Sequence, residues 1–129
     1  MKKIYLACSL TQAPAGFKEE VEVLRTKLKE KYETLDFVGL EKGTAQDVYN
    51  WNTKCVRDAD LILAICTNPS IGLGIEIGLA LEIQKPVLAV ASKDALITRM
   101  VLGMNGPTCT FARYDTLDDV VAMVEQKQF

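Results

Sequence analysis

The residues best suited to chemistry lie in a glycine-containing loop and at the start of the apolar segment after it. The sequence there is Pro69-Ser70-Ile71-Gly72-Leu73-Gly74-Ile75-Glu76. A strand-like apolar run precedes the loop and a helix-like run follows it, so main-chain N–H groups at the helix start would face a bound anion. Gly72 and Gly74 let a ligand approach the main chain closely. The pattern predicts an anion-binding loop followed at once by a carboxylate.

Glu76 is a carboxylate with apolar residues or glycine at every position from Ile71 to Leu81 around it. A helix that is apolar on every side is usually buried, and a buried carboxylate without a partner is costly. No basic residue lies within a helical turn of it, so we interpret Glu76 as a functional acid. Two alternatives remain open: Glu76 as a structural acid in a buried salt bridge, and the Ser70–Gly72 segment as an ordinary turn.

The composition limits which chemistry is available. The 129 residues include no histidine, which excludes Ser-His-Asp and Cys-His catalysis and argues against a metal site. Proton transfer must then use carboxylates, Tyr, Lys, Cys or water. We expect no cofactor. The cysteines match no zinc or redox spacing, and we interpret them as small core residues; they are Cys8, Cys55, Cys66 and Cys109.

The bulk properties indicate one ordinary globular domain over residues 1–129. The chain is 49% hydrophobic with a net charge of −2, so nothing suggests nucleic acid or an anionic membrane as a partner. The apolar run at residues 4–8 is too short for a signal peptide, and no segment approaches the length of a membrane span. We therefore expect a cytoplasmic protein.

Strand-like and helix-like segments alternate along the chain, which predicts an α/β fold with helices on both faces of a parallel sheet. The strand-like segments are 3–7, 33–40, 59–66, 86–91 and 108–113. The helix-like segments are 17–28, 44–58, one that ends near 83, 94–102 and one that begins near 116. We predict a flavodoxin-like, doubly wound, three-layer architecture with five strands in the order 2-1-3-4-5.

In that strand order the first and third strands are neighbours, and ligands bind beyond their carboxyl ends. Ser9, which follows the first strand, would then lie opposite the Ser70 loop. Asn52 shares a helical face with Val48 and Val56, so we expect its side chain to point inward and to overhang the same crevice. A core amide in a satisfied hydrogen-bond network is the alternative for Asn52, as plain core packing is for Tyr5.

Several short patterns together resemble the nucleoside 2-deoxyribosyltransferase family. They are Tyr5 and Ser9 around the first strand, Ala59-Asp60 after a helix, the Pro69–Gly78 pattern, and Lys85-Pro86 before a strand. The branch of 2′-deoxynucleoside 5′-monophosphate N-glycosidases is the closer match. The resemblance implies cleavage or transfer at the N-glycosidic bond of a 2′-deoxynucleoside or its 5′-monophosphate.

The resemblance also implies roles for individual residues. Glu76 corresponds to the glutamate that attacks C1′ of the deoxyribose, and Tyr5 to a tyrosine beside it. The 5′-phosphate or 5′-hydroxyl is implied to be bound by Ser9, Ser70, Gly72, Gly74 and Thr98. The family forms homodimers or larger oligomers in which a neighbouring subunit contributes to the site. Thr98 lies at the position of such a contributed residue.

One departure from the family pattern concerns Asn52, which stands where the family carries an aspartate. An amide cannot deliver an acidic proton. A catalytically weakened nucleotide-binding module with the same fold is therefore the alternative function. The loop at residues 11–16 also contains no arginine, which makes a nucleoside without phosphate a plausible substrate. A phosphoribohydrolase of the cytokinin-activating type is disfavoured, because its loop has a threonine that is absent here and a longer spacing before the glutamate.

Overall fold

The computed structural model of the chain describes residues 1–11, 13–36 and 43–129. Strands and helices alternate along this part of the chain, as the sequence predicts. The strands are β1 (Lys3–Cys8), β2 (Glu33–Leu35), β3 (Leu61–Ile65), β4 (Val87–Ser92) and β5 (Cys109–Tyr114). The helices are α1 (Phe17–Leu28), α2 (Ala45–Asp58), α3 (Ile71–Glu82), α4 (Arg99–Leu102) and α5 (Asp118–Gln126).

The strands form one parallel sheet in the order β2-β1-β3-β4-β5, which confirms the predicted flavodoxin-like topology. All five residues of β3 are buried, as expected for a parallel strand that is covered on both faces. β1 pairs with β3 from Ile4 opposite Leu61 to Cys8 opposite Ile65. The loops after β1 and β3 therefore leave the sheet side by side.

Alternate residues of β1 enter the two apolar layers of the domain, because successive side chains of a strand point to opposite faces. Tyr5 and Ala7 pack in the layer beneath α2 and α3. Ile4 and Leu6 pack against α1 and α5 on the other face. This alternation places the ring of Tyr5 on the face of the sheet that α3 covers.

α2 begins at a capping box formed by Thr44 and Asp47, which are three residues apart as this motif requires. Thr44 Oγ1 accepts from the N–H of Asp47 at 3.1 Å, and Asp47 Oδ2 accepts from the N–H of Thr44 at 3.0 Å. Two donors at the helix start are satisfied in this way. The helix then carries Asn52 one turn before the buried Val56.

Two predicted features differ from the structure. α3 is not buried all round: Ile71 and Ile75 are 85% and 51% exposed, because the chain covers only one side of this helix. A helix over 94–102 is also wrong, since residues 93–98 form a loop and α4 begins after Thr98, whose hydroxyl caps it. The predicted end of the second strand falls on residues 37–40, outside the described residues.

None of the described helices has the length and apolar content needed to cross a bilayer.

Candidate active site

Tyr5 and Glu76 form a buried hydrogen-bonded pair between the sheet and α3. The phenol of Tyr5 donates to Oε2 of Glu76. Tyr5 has no exposed surface and Glu76 is 9% exposed. The helical period puts Glu76 on the same side as the buried Leu73 and Ala80. The two residues that the resemblance pairs are thus in direct contact.

The surroundings of this pair shift both of its pKa values. Burial raises the pKa of Glu76, and the hydrogen bond from Tyr5 partly offsets that rise. The pKa of Tyr5 is raised by burial and then by the nearby charge of Glu76. The phenol therefore keeps its proton and remains a donor to the carboxylate.

The salt-bridge alternative for Glu76 finds no partner in the part of the chain that the structure describes. The salt bridges there use other carboxylates, namely Glu22, Asp36, Asp58, Asp115, Asp118 and Glu125. A buried acid with a raised pKa and only a tyrosine as a described hydrogen-bond partner is typical of functional carboxyl groups.

The start of α3 offers hydrogen-bond donors and open space. Ser70 Oγ accepts from the N–H of Leu73 at 3.1 Å, which leaves the hydroxyl proton of Ser70 available to another acceptor. The first N–H groups of a helix have no acceptor within it. A Cβ atom added to Gly72 or Gly74 would meet no atom within 4 Å. An anion can therefore approach the main chain here.

Thr98 and Ser70 line the same small cavity of about 90 Å³. Leu73 and Gly74 contribute from α3, and Ile97 lies beside Thr98. Thr98 Oγ1 accepts from the N–H of Met100 at 3.3 Å, so its own proton is also available. Pockets for small-molecule ligands usually measure about 300–1,000 Å³, so this cavity alone is too small for a nucleotide.

The other two predicted residues, Ser9 and Asn52, lie on parts of the chain that adjoin β3 and α3. Ser9 is buried immediately after β1, and the register of β1 with β3 puts it level with Cys66. Asn52 is half-buried on α2, which packs beside α3. Glu76 and Tyr5 do not line the small cavity. α3 links the cavity to the Tyr5–Glu76 pair, because Gly74, which lines the cavity, is two residues before Glu76.

Sequence reasoning missed the residue that anchors the loop between β3 and α3. Thr67 Oγ1 lies 2.7 Å from the hydroxyl of Tyr114 and accepts from the N–H of Ser92 at 3.1 Å. These contacts tie the loop to β4 and β5. No local pattern reveals them, because Thr67 and Tyr114 are 47 positions apart.

A larger groove lies on the other face of the sheet, near the ends of β3, β4 and β5. Its volume is about 480 Å³, and Phe17, Glu20, Thr67 and Tyr114 are among its lining residues. None of the residues predicted to bind or cleave a substrate lines it. We therefore place the candidate site at Glu76 and the small cavity, and not in the larger groove.

Comparison with known proteins gives one family. The model of the nucleoside 2-deoxyribosyltransferase family matches residues 4–127. A relative from Thermofilum pendens, named a putative 2′-deoxynucleoside 5′-phosphate N-hydrolase 1, is 26% identical over 132 aligned positions, 95% of this chain and 92% of the relative. A protein of the same name from Syntrophotalea carbinolica is 38% identical over 90 residues, 68% of this chain and 61% of that protein.

Solved structures share the fold at lower identity. A CMP N-glycosidase from Clostridium botulinum superposes with a TM-score of 0.74 at 20% identity, over 96% of this chain and 99% of its own. A 2-desoxiribosyltransferase from Leishmania mexicana gives a TM-score of 0.71 at 18% identity, over 99% of this chain and 100% of its own.

Proposed function

Because the chain belongs to the nucleoside 2-deoxyribosyltransferase family, we propose that it cleaves or transfers at the N-glycosidic bond of a 2′-deoxynucleoside or its 5′-monophosphate, with Glu76 as the nucleophile. The observation that carries the proposal is the buried Glu76 carboxyl group with Tyr5 donating to it. The names of the curated relatives, both 2′-deoxynucleoside 5′-phosphate N-hydrolases, support the same bond as the target.

The proposed reaction has two displacement steps. Glu76 attacks C1′ of the deoxyribose, the C1′–N bond breaks, and the base leaves with the bonding electrons and takes up a proton. Water or an acceptor base then attacks C1′, the C1′–O bond to Glu76 breaks, the Glu76 carboxylate is released and the attacking group gives up one proton to solvent. Tyr5 binds the second oxygen, Oε2, and so orients the carboxylate for attack.

Protonation of the leaving base is the weak step of this mechanism. Asn52 can hydrogen-bond to the substrate, but an amide supplies no acidic proton. Solvent would then protonate the base, at a cost of about 10²–10⁴ in rate if general acid catalysis is lost. A nucleotide-binding module with little turnover is the second candidate function, and Asn52 is the residue that favours it.

The 5′ end of the substrate is assigned to the start of α3 and the residues around it. The hydroxyl groups of Ser70 and Thr98 line one cavity and each keeps a proton to donate. Gly72 and Gly74 leave space for a phosphate or a 5′-hydroxyl beside the main chain. Ser9 would contribute from the neighbouring loop after β1.

A second copy of the chain completes the site in this proposal. The small cavity holds only part of a nucleotide, and the outer face of α3 is an exposed apolar surface that includes Ile71 and Ile75. Leu96, at the edge of the small cavity, and Met100 on α4 are also exposed. Exposed apolar surface of this kind marks protein–protein contacts, so we expect a homodimer or a larger homo-oligomer.

The proposal is tested by incubating the protein with a panel of 2′-deoxynucleosides and their 5′-monophosphates, with and without an acceptor base. Free base and exchanged nucleoside are quantified by chromatography. Wild type is compared with Glu76→Gln and with Glu82→Gln, which removes an exposed carboxylate from the same helix. Turnover that only Glu76→Gln abolishes supports the enzyme. Binding without turnover supports the binding module, and no binding to any compound contradicts both.

A further inference from the structure

The guanidinium group of Arg113 donates hydrogen bonds to three main-chain carbonyl groups, one at the end of β4 and two in the loop that follows it. Nη1 donates to the oxygens of Ser92 and Ala95 at 2.9 Å each, and more weakly to that of Lys93 at 3.4 Å. Arg113 lies on β5, the edge strand of the sheet. A guanidinium keeps its charge at every relevant pH, and hydrogen bonds from charged donors are stronger than neutral ones.

The loop that Arg113 contacts forms one wall of the small cavity. Residues 93–98 connect β4 to α4, and Leu96, Ile97 and Thr98 line the cavity opposite the residues of α3. The loop has few other main-chain bonds near its start: Ala95 N–H donates to Ser92 and Lys93 N–H donates to Tyr114. Burial of Ile97 and the salt bridge from Lys93 to Asp115 also hold the loop, and Arg113 adds the side-chain hydrogen bonds to its first half.

Among the residues that the structure describes, no carboxylate forms a salt bridge with Arg113 and competes with the loop carbonyl groups for its guanidinium. None of the salt bridges found there includes it. Its guanidinium lies 5.5 Å from the ring centre of Phe111 on the same strand, which fixes its direction further. An arginine held along a strand and committed to loop carbonyls acts as a brace for that loop.

We propose that Arg113 is a positioning residue for the substrate's 5′ end, because it holds loop 93–98 so that Thr98 lines the same cavity as Ser70. The inference rests on the proposed function. Arg113 contacts neither the cavity nor the Tyr5–Glu76 pair, so it acts through the loop alone. Its loss should weaken substrate binding and leave bond cleavage at Glu76 nearly unchanged.

The test compares Arg113→Gln and Arg113→Lys with Arg57→Gln, which removes an exposed positive charge from the end of α2. Arg113→Gln should raise KM about tenfold with kcat within about twofold of wild type, a change on the scale of one charged hydrogen bond. Arg113→Lys, which keeps the charge, should recover part of the loss. Thr98→Val should add little to Arg113→Gln, because both act at the same wall.

Hydrogen–deuterium exchange of residues 93–98, measured without substrate, separates this inference from the proposed function. Faster exchange in Arg113→Gln but not in Arg57→Gln supports the brace even if no compound of the panel is turned over. Unchanged exchange in that loop overturns the inference. So does a fall in kcat with KM unchanged, or a KM effect as large in Arg57→Gln as in Arg113→Gln.

Discussion

The phenol of Tyr5 on β1 donates a hydrogen bond to Oε2 of Glu76 on α3, the helix that follows the central strand β3. Both groups are buried. The contact does two things to the carboxylate: it fixes the orientation of the carboxylate, and it opposes the rise in pKa that burial causes. A nucleophile needs both, since it must point at the reacting carbon and be ionised when substrate binds.

Removing the phenol oxygen should change the pH dependence of the reaction. Tyr5→Phe deletes the hydrogen bond that lowers the pKa of Glu76, so the acidic limb of the kcat/KM profile should move to higher pH. Activity at neutral pH should fall by about tenfold or more, the worth of one hydrogen bond to a charged group. Initial rates of base release from pH 4 to 9 measure both effects. Tyr32→Phe, remote from Glu76, is the control, and an unmoved acidic limb would contradict the role of Tyr5.

The burial of Glu76 should also appear in the stability of the fold. Its pKa in the folded protein is raised from the ordinary value of 4.5, so its contribution to the free energy of unfolding should fall as the pH rises from 4.5 through the folded pKa and then level off. Glu76→Gln does not titrate. Its stability relative to wild type should therefore increase over that interval. Urea unfolding at a series of pH values tests this, and a difference that stays constant or falls with pH would be inconsistent with a raised pKa.

Much of this fold is readable from the sequence because local patterns and a single topology rule determine it. The face formed by Phe17, Val21, Leu24 and Leu28 is buried as the helical spacing predicts, and the capping box at Thr44 starts α2. The apolar sequence of α3 did not predict which of its side chains are buried. Hydrophobic content does not say which side of a helix the chain covers, and Ile71 and Ile75 remain exposed.

An acid at position 52 should restore proton donation to the leaving base. Asn52→Asp places a carboxyl group on the face of α2 that carries Val56, and general acid catalysis is worth about 10²–10⁴ in rate. We expect base release to rise by at least about tenfold, most strongly for poor leaving groups. Asn50→Asp adds the same charge at an exposed position of the same helix. Equal rates in wild type and Asn52→Asp would show that Asn52 does not limit the chemistry.

A charge on the outer face of α3 should separate the subunits. Ile75→Glu would bury a carboxylate in the proposed contact between copies, which is strongly unfavourable. Sedimentation equilibrium should show an oligomer for wild type and a 14.3 kDa monomer for the variant. Val23→Glu, at an exposed position of α1, should leave the oligomer intact. A monomeric wild type at micromolar concentration would contradict the proposed assembly.

The parts of the site that the sequence did not reveal depend on contacts between distant positions. Thr67 and Tyr114 meet only because β3, β4 and β5 are adjacent. Arg113 reaches the loop after β4 for the same reason. Thr98 lines a cavity together with Ser70 of its own chain, and its contribution to the site of a neighbouring subunit stays a prediction. Spacing along one helix finds Glu76, but only the folded sheet brings these partners together.

The central claim, that Glu76 is the nucleophile, is tested most directly by mass spectrometry of protein quenched in acid during turnover of a 2′-deoxynucleotide that the panel identifies as a substrate. Wild type should gain the mass of the substrate without its base, and the added group should map to the peptide that contains Glu76, while Glu76→Gln gains nothing and releases no base. An adduct on another residue, or base release by Glu76→Gln at the wild-type rate, would contradict the claim.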